Sequence, residues 1–330
     1  FWDKIEKANY FLENIIQTSV EPWNSRLIMY LLENPIQDGG QWDMFVNLIR
    51  KYGVVPQTEM PESFQSSKSM RMNRMITRKL REFAKTLREA YNEGKNLTVL
   101  HRMKKEMLAV IYQMLVIHLG TPPVRFDWQV RDKDKKFHRF ENLTPKRFFS
   151  DHVGLNLDDF SCLINCPMSD KTYNEVYTVE YLGNVVGGNI IRYLNLPSSR
   201  LKECAVQSIR DDDPVWFGCD VGKYFHRDLG VMDMDLFDFE LFYGTDFPMN
   251  KADRLEYGDS QMTHAMLFTG VDLDKGGKPR KWRVENSWGN KRGDKGYDIM
   301  TDKWFDEYNY EIVVHKKYLT DEELEIYQRD

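Results

Sequence analysis

Met262-Thr263-His264-Ala265-Met266 and Trp282-Arg283-Val284-Glu285-Asn286-Ser287-Trp288-Gly289 are the two stretches around which this chain of 330 residues is organised. Each sits in a run that reads as a strand, 262–271 and 281–288. Between them Asp272-Leu273-Asp274-Lys275-Gly276-Gly277-Lys278-Pro279 has the composition of a turn. A hairpin of this kind brings His264 beside Asn286. The Asn carbonyl can then accept from one ring N–H, which fixes the imidazole tautomer and aims the other nitrogen at a thiol. Trp288 follows Asn286 by two residues and is expected to lie over that hydrogen bond, lowering the local dielectric and strengthening it. A core histidine beside a turn asparagine is the simpler reading of either residue alone. The joint occurrence of T-H-A-M, E-N-S-W-G and the downstream Gly293-Asp294-Lys295-Gly296-Tyr297 favours a catalytic pair.

With these residues the chain resembles the papain-like cysteine peptidases, and more narrowly their bleomycin hydrolase and aminopeptidase C branch. The wider family shares the His segment, the N-S-W-G segment and a Gly-Gly turn, here Asp38-Gly39-Gly40-Gln41-Trp42. The narrower branch adds Thr178-Val179-Glu180-Tyr181-Leu182-Gly183-Asn184-Val185-Val186-Gly187-Gly188, Trp216-Phe217-Gly218-Cys219-Asp220-Val221-Gly222 and Arg131-Asp132-Lys133-Asp134-Lys135. The resemblance implies a cysteine-type aminopeptidase with His264 as base, Asn286 as its orienting amide and Trp288 as support. It also assigns Gly39 and Gly40 to substrate binding, where the lack of a Cβ lets a peptide backbone approach and pair. It implies a cytoplasmic homohexamer acting on peptides, with no cofactor and no metal. The family's nucleophile lies in a Gly-x-Cys-Trp segment preceded by a Gln, and no such segment occurs here. Phe1-Trp2-Asp3-Lys4 resembles the stretch that follows it. The chain therefore reads as lacking the N-terminal segment with the nucleophilic Cys, and is expected to be inactive alone. The competing reading is an inactive fragment or paralogue that serves as an assembly or binding module. The ending Ile326-Tyr327-Gln328-Arg329-Asp330 departs from the family's apolar, small-residue ending.

None of the four cysteines is a convincing substitute. Cys219 follows an apolar run that reads as a buried strand, and the adjacent Asp220 disfavours a thiolate. Cys204 recurs with Leu201, Ala205 and Ile209 at helical spacing, as a small core residue does. Cys162 and Cys166, with His152 upstream, invite a zinc reading, but no second ligand pair accompanies them. Four cysteines without dense spacing fit reduced thiols.

A net charge of −5 gives the chain no overall nucleic-acid signature. One segment differs: Arg71, Arg74, Arg78, Lys79, Arg81, Lys85 and Arg88 share a helix with the apolar stripe Met72, Met75, Ile76, Leu80, Phe83, Leu87 and Ala90. A solvated basic face is the expectation, and nucleic-acid binding the weaker alternative. No apolar run reaches membrane-spanning length.

The predicted fold class is α+β, a papain-like two-part fold with a helical left part, a β-barrel-like right part and a helical hairpin insertion. Residues 1–69 are assigned to the helical part and 70–123 to the hairpin. Residues 124–330 form the β-rich part with His264 and Asn286, facing the helical part across a cleft. Helices are expected at 6–19, 26–33, 42–52, 70–92, 97–119 and 198–210. Short strands are expected at 124–130, 137–140, 161–167, 215–220, 297–300 and 310–315.

Overall fold

The computed structural model of the chain describes residues 1–329. Two compact units emerge, one of Phe1–Asn156 with Val179–Ile191, the other of Leu157–Thr178 with the chain from Arg192 onward.

The first unit is built on helices α1 (Trp2–Gln17), α2 (Arg26–Glu33), α3 (Trp42–Tyr52), α4 (Phe64–Ser67), α5 (Met70–Asn92) and α6 (Leu97–Leu119). Local chemistry sets the ends of α2, α3, α5 and α6 where the sequence suggests, whereas α1 spans Trp2–Gln17 and not 6–19, and the single turn of α4 was not expected. The Ser25 side chain accepts from the Ile28 amide to start α2, and Asn96 accepts from Val99 to start α6. At the end of α3 Gly53 has φ +75°, and its amide donates to the Ile49 carbonyl at 2.7 Å. Glycine is required there twice over, because a Cβ would lie 2.3 Å from the Pro145 carbonyl carbon.

The predicted hairpin of α5 and α6 packs on α1, burying Met72, Ile76, Leu80, Ala84 and Leu87 with Leu100, Ile111 and Leu115. Met75, expected in the buried stripe, is instead 48% exposed. The basic face of α5 is partly structural. Arg81 donates to the Leu32 and Glu33 carbonyls at 2.8 Å each, satisfying the C-terminus of α2, and Arg88 donates to the carbonyls of Thr18 and Glu21. Lys79 and Lys85 pair with Glu82 and Glu89. A hairpin of β1 (Phe126–Arg131) and β2 (Phe137–Leu143) completes the unit, its inner residues Phe126 and Leu143 packed with Phe148.

The second unit holds one ten-stranded sheet. Its strands are β3 (Phe160–Ile164), β4 (Glu175–Tyr177), β5 (Tyr193–Asn195), β6 (Val215–Cys219), β7 (Phe225–His226), β8 (Val231–Met232), β9 (His264–Leu273), β10 (Pro279–Glu285), β11 (Tyr297–Thr301) and β12 (Asn309–His315). Their order is β4-β5-β3-β12-β6-β9-β10-β11-β8-β7, antiparallel except for β3 with β5 and β11 with β8. The expected barrel-like sheet is thus an open one. Its end strands span only three and two residues, too short to pair along a closing seam. The same shortness hid β4, β5, β7 and β8 in the sequence, since a period of two cannot show in so few residues.

One face of the sheet is covered by helix Ser198–Arg210, through Leu201, Cys204 and Ala205, and by Trp304 and Phe305 of helix Asp302–Tyr308. At its centre Phe217 stacks on Phe268 at 3.8 Å, and Trp282 lies 5.0 Å from both Phe268 and Phe305. This core sits directly beneath the strands that carry His264 and Asn286. Among the described residues no helix is long and apolar enough to cross a membrane.

Candidate active site

β9 and β10 form the expected hairpin. Its turn is held by the Asp274 carboxylate, which accepts from the amides of Gly276 and Lys278 at 2.8 and 2.9 Å. The register pairs Glu285 with Leu267, so Asn286 leaves β10 close to the first residue of β9, His264. His264 Nε2 and Asn286 Oδ1 stand 3.0 Å apart. The Trp288 ring lies 4.8 Å from the imidazole, tilted by 32°. Trp288 is itself 37% exposed, with Phe225 on one side and the guanidinium groups of Arg227 and Arg292 over its ring at 5.4 and 5.9 Å. His264, Asn286 and Trp288 are thus brought together as their spacing suggests.

The backbone before His264 is tied down by buried polar groups. The Thr263 amide donates to the Cys219 carbonyl at 2.9 Å, and the buried Asp220 carboxylate accepts from Thr263 Oγ1 at 3.2 Å and Ser260 Oγ at 2.8 Å. Ser260 also meets the Tyr310 hydroxyl at 2.6 Å. The Lys251 ammonium lies 4.9 Å over the Tyr310 ring and donates to Asn165 Oδ1 and the Asn309 carbonyl. Burial pushes the Lys251 amine down to about 7.

One partner escaped the sequence reading. Asn286 Nδ2 donates to Asp298 Oδ2 at 3.1 Å. Asp298 is only 4% exposed, whereas its neighbour Ile299 is 49% exposed. On β11 the carboxylate takes the inward position and the aliphatic side chain the outward one. Apolar patterning points the opposite way.

The cysteines occupy structural positions. Cys162 lies on β3 and Cys204 in the helix under the sheet, both buried; burial pushes the Cys204 thiol up to about 12. Cys166 is half-buried, and burial raises its thiol too. Cys219 is the register partner of His264 across β6 and β9, a proximity the sequence did not reveal. It is completely buried, and burial, then the neighbouring Asp220 charge, hold the thiol well above its usual range. Among the described residues no three His, Cys, Asp or Glu side chains converge on a metal-sized site.

In the helical unit, the loop bearing Gly39 and Gly40 is fastened by α1. Lys4 donates to the Ile36 carbonyl at 2.8 Å and to Asp38 at 2.6 Å, while Lys7 donates to the carbonyls of Gln37 at 2.8 Å and Gly39 at 2.5 Å. Neither glycine is demanded by the chain itself. Both have ordinary φ, a Cβ on Gly39 would meet nothing within 4 Å, and one on Gly40 would only touch Met44. The absent side chains leave open space above a rigid backbone.

That loop has its own acid sensitivity. Burial opposes ionisation of Asp38, but hydrogen bonds from Lys4, Ser69 and Asn73 prevail and lower its carboxyl from 3.8 to about 2. A depressed folded value means the stabilisation is complete above the unfolded value and is lost as pH falls through about 2. Amide exchange at residues 36–41, taken relative to the intrinsic rate at each pH, should accelerate as pH is lowered from 4 to 2, and the step should vanish in Asp38→Asn. Equal acceleration in both proteins would contradict this.

Residues 1–330 match the family model described as Peptidase C1-like family. The chain belongs to the Peptidase C1-like family. Aminopeptidase C of Listeria monocytogenes is 48% identical over 330 residues, covering 100% of this chain and 74% of that protein. Bleomycin hydrolase of Homo sapiens is 45% identical, again over 100% of this chain and 74% of its own length. The crystal structure of PepW from Lactobacillus rhamnosis superposes with a TM-score of 0.97 at 48% identity, covering 99% of this chain and 73% of that one. The resemblance carried by the His and Asn segments holds at the level of family and of α+β fold. As a Peptidase C1-like chain, the protein is of the cysteine-peptidase type.

Proposed function

We propose that the chain carries the base and base-orienting half of a cysteine-type aminopeptidase of the bleomycin hydrolase kind, with the nucleophilic thiol supplied from outside residues 1–330. The observation that carries this reading is the 3.0 Å approach of His264 Nε2 to Asn286 Oδ1 beside Trp288. With Nε2–H given to the amide, Nδ1 is left to take a thiol proton. The resulting thiolate attacks the peptide carbonyl, imidazolium at His264 passes its proton to the leaving amine, and water then hydrolyses the acyl-enzyme. The open backbone at Gly39 and Gly40 suits an extended substrate strand. The reading extends, through the resemblance, to a hexamer working on peptides in the cytoplasm; the four unbridged cysteines agree with that compartment.

The buried state of Cys162, Cys204 and Cys219 favours a second reading, in which the chain serves as an assembly or binding module without turnover. Aminoacyl-fluorogenic substrates separate the two. Purified 1–330 should show no thiol-dependent turnover, and the same protein expressed with the residues encoded upstream should. Turnover by 1–330 that a thiol alkylator blocks would refute the external nucleophile. Persistent inactivity of the longer protein would establish the module.

A further inference from the structure

The two ends of an asparagine side chain are nearly identical in shape, so packing alone does not decide which end faces a histidine. Here chemistry decides it. Asn286 Oδ1 lies toward His264 Nε2 and also accepts from the Ser287 amide at 2.8 Å, while Nδ2 points at Asp298. Ser287 is an exposed residue, whereas the Asp298 end is closed to solvent. An ionised carboxylate has only acceptors, so it admits the NH2 end and excludes the carbonyl.

The pocket is shaped for that carboxylate. Gly230 and Gly293 both have positive φ, and a Cβ on them would come within 2.6 and 2.9 Å of Asp298 Oδ1. Across the ladder, β10 presents the apolar Val284. The Asn286 hydrogen bond favours ionised Asp298, as does His264, the facing titratable group on β9, when it carries a proton on both nitrogens. Burial is the larger effect and raises the Asp298 carboxyl above its usual value.

We propose that Asp298 is a positioning residue. In its ionised form it fixes the orientation of the Asn286 amide and, through it, the Nε2–H tautomer of His264, making the relay His264–Asn286–Asp298. Protonation of Asp298 adds one O–H donor beside its remaining acceptor, so the carboxyl no longer excludes the carbonyl end of Asn286 and the relay loses its direction. This deepens the peptidase reading and rests on it only for its consequence in turnover, since the hydrogen-bond geometry itself requires no substrate.

The test is made on chain 1–330 labelled with 15N in its histidines, where long-range 1H–15N correlations report which ring nitrogen carries the proton. Asp298→Asn keeps the shape and removes the charge, and its amide spectrum verifies that the fold is retained. Wild type should show His264 as the Nε2–H tautomer at neutral pH, and Asp298→Asn should show both tautomers in comparable amounts. A single unchanged tautomer in Asp298→Asn would overturn the proposal. In the longer, thiol-bearing protein the same substitution should lower kcat by roughly ten- to hundredfold, the range typical of removing the hydrogen-bond partner behind a metal-bound side chain, with KM retained. A tautomer change without turnover in any form of the protein would refute the peptidase reading and leave the positioning role standing.

Discussion

His264→Ala, made in the thiol-bearing protein, should lower kcat by about a hundredfold to ten-thousandfold, the range typical of removing a general base. The methyl group of alanine can neither take the thiol proton nor return it to the leaving amine, so both proton transfers are lost together. Asn286→Ala should cost less. Without the amide the imidazole still titrates, but it loses the acceptor 3.0 Å from Nε2 that fixes its tautomer and ring orientation. A kinetic series with aminoacyl-fluorogenic substrates orders the two, and turnover by His264→Ala near the wild-type rate would remove His264 from the mechanism. Circular dichroism on each variant separates a chemical loss from an unfolded one, because His264 sits at the start of β9 and contributes little to the core beneath it.

The largest loss of stability should come from Trp282→Ala. This side chain is fully buried on β10, wedged against Phe268 and Phe305, and its indole N–H donates to Asp302 Oδ1 at 3.2 Å. Removing a buried tryptophan leaves a cavity that rigid neighbours fill poorly, which costs about 3–5 kcal/mol. Against a typical domain margin of about 5–15 kcal/mol, that is enough to populate the unfolded state on mild heating. Trp282→Phe, which keeps most of the volume and loses the N–H, should cost markedly less. Urea titrations followed by circular dichroism would measure both. Equal midpoints for Trp282→Ala and wild type would mean that the aromatic stack is not the keystone of this sheet.

The longer helices were legible because their signals are local, whereas short ones such as Asp302–Tyr308 and Asp321–Gln328 were not. Ser25 and Asn96 cap α2 and α6, Gly53 ends α3, and the apolar positions of α5 recur every three or four residues. The longer strands were legible from their apolar runs, and the β9–β10 hairpin from Asp274, Gly276 and Gly277. Pairing across that hairpin follows from adjacency along the chain, which is why His264 and Asn286 could be placed together without coordinates. Arg81 and Arg88 show the limit of a local reading. As basic residues on one helix face they suggest solvent or a charged partner, yet they satisfy the carbonyls of chain segments far away in sequence.

The α+β class, the α5–α6 hairpin, and the meeting of His264, Asn286 and Trp288 can be read along the chain, each encoded within a short span by caps, periodicity or a turn. Long-range packing settles what no short span encodes: that the sheet stays open, that Cys219 lies opposite His264 with a buried thiol, and that Asp298 points inward while Ile299 faces out. The reason is physical. The inward face of a strand is set by what its neighbours across the sheet require, and here Asn286 requires an acceptor where an apolar pattern would have placed Ile299.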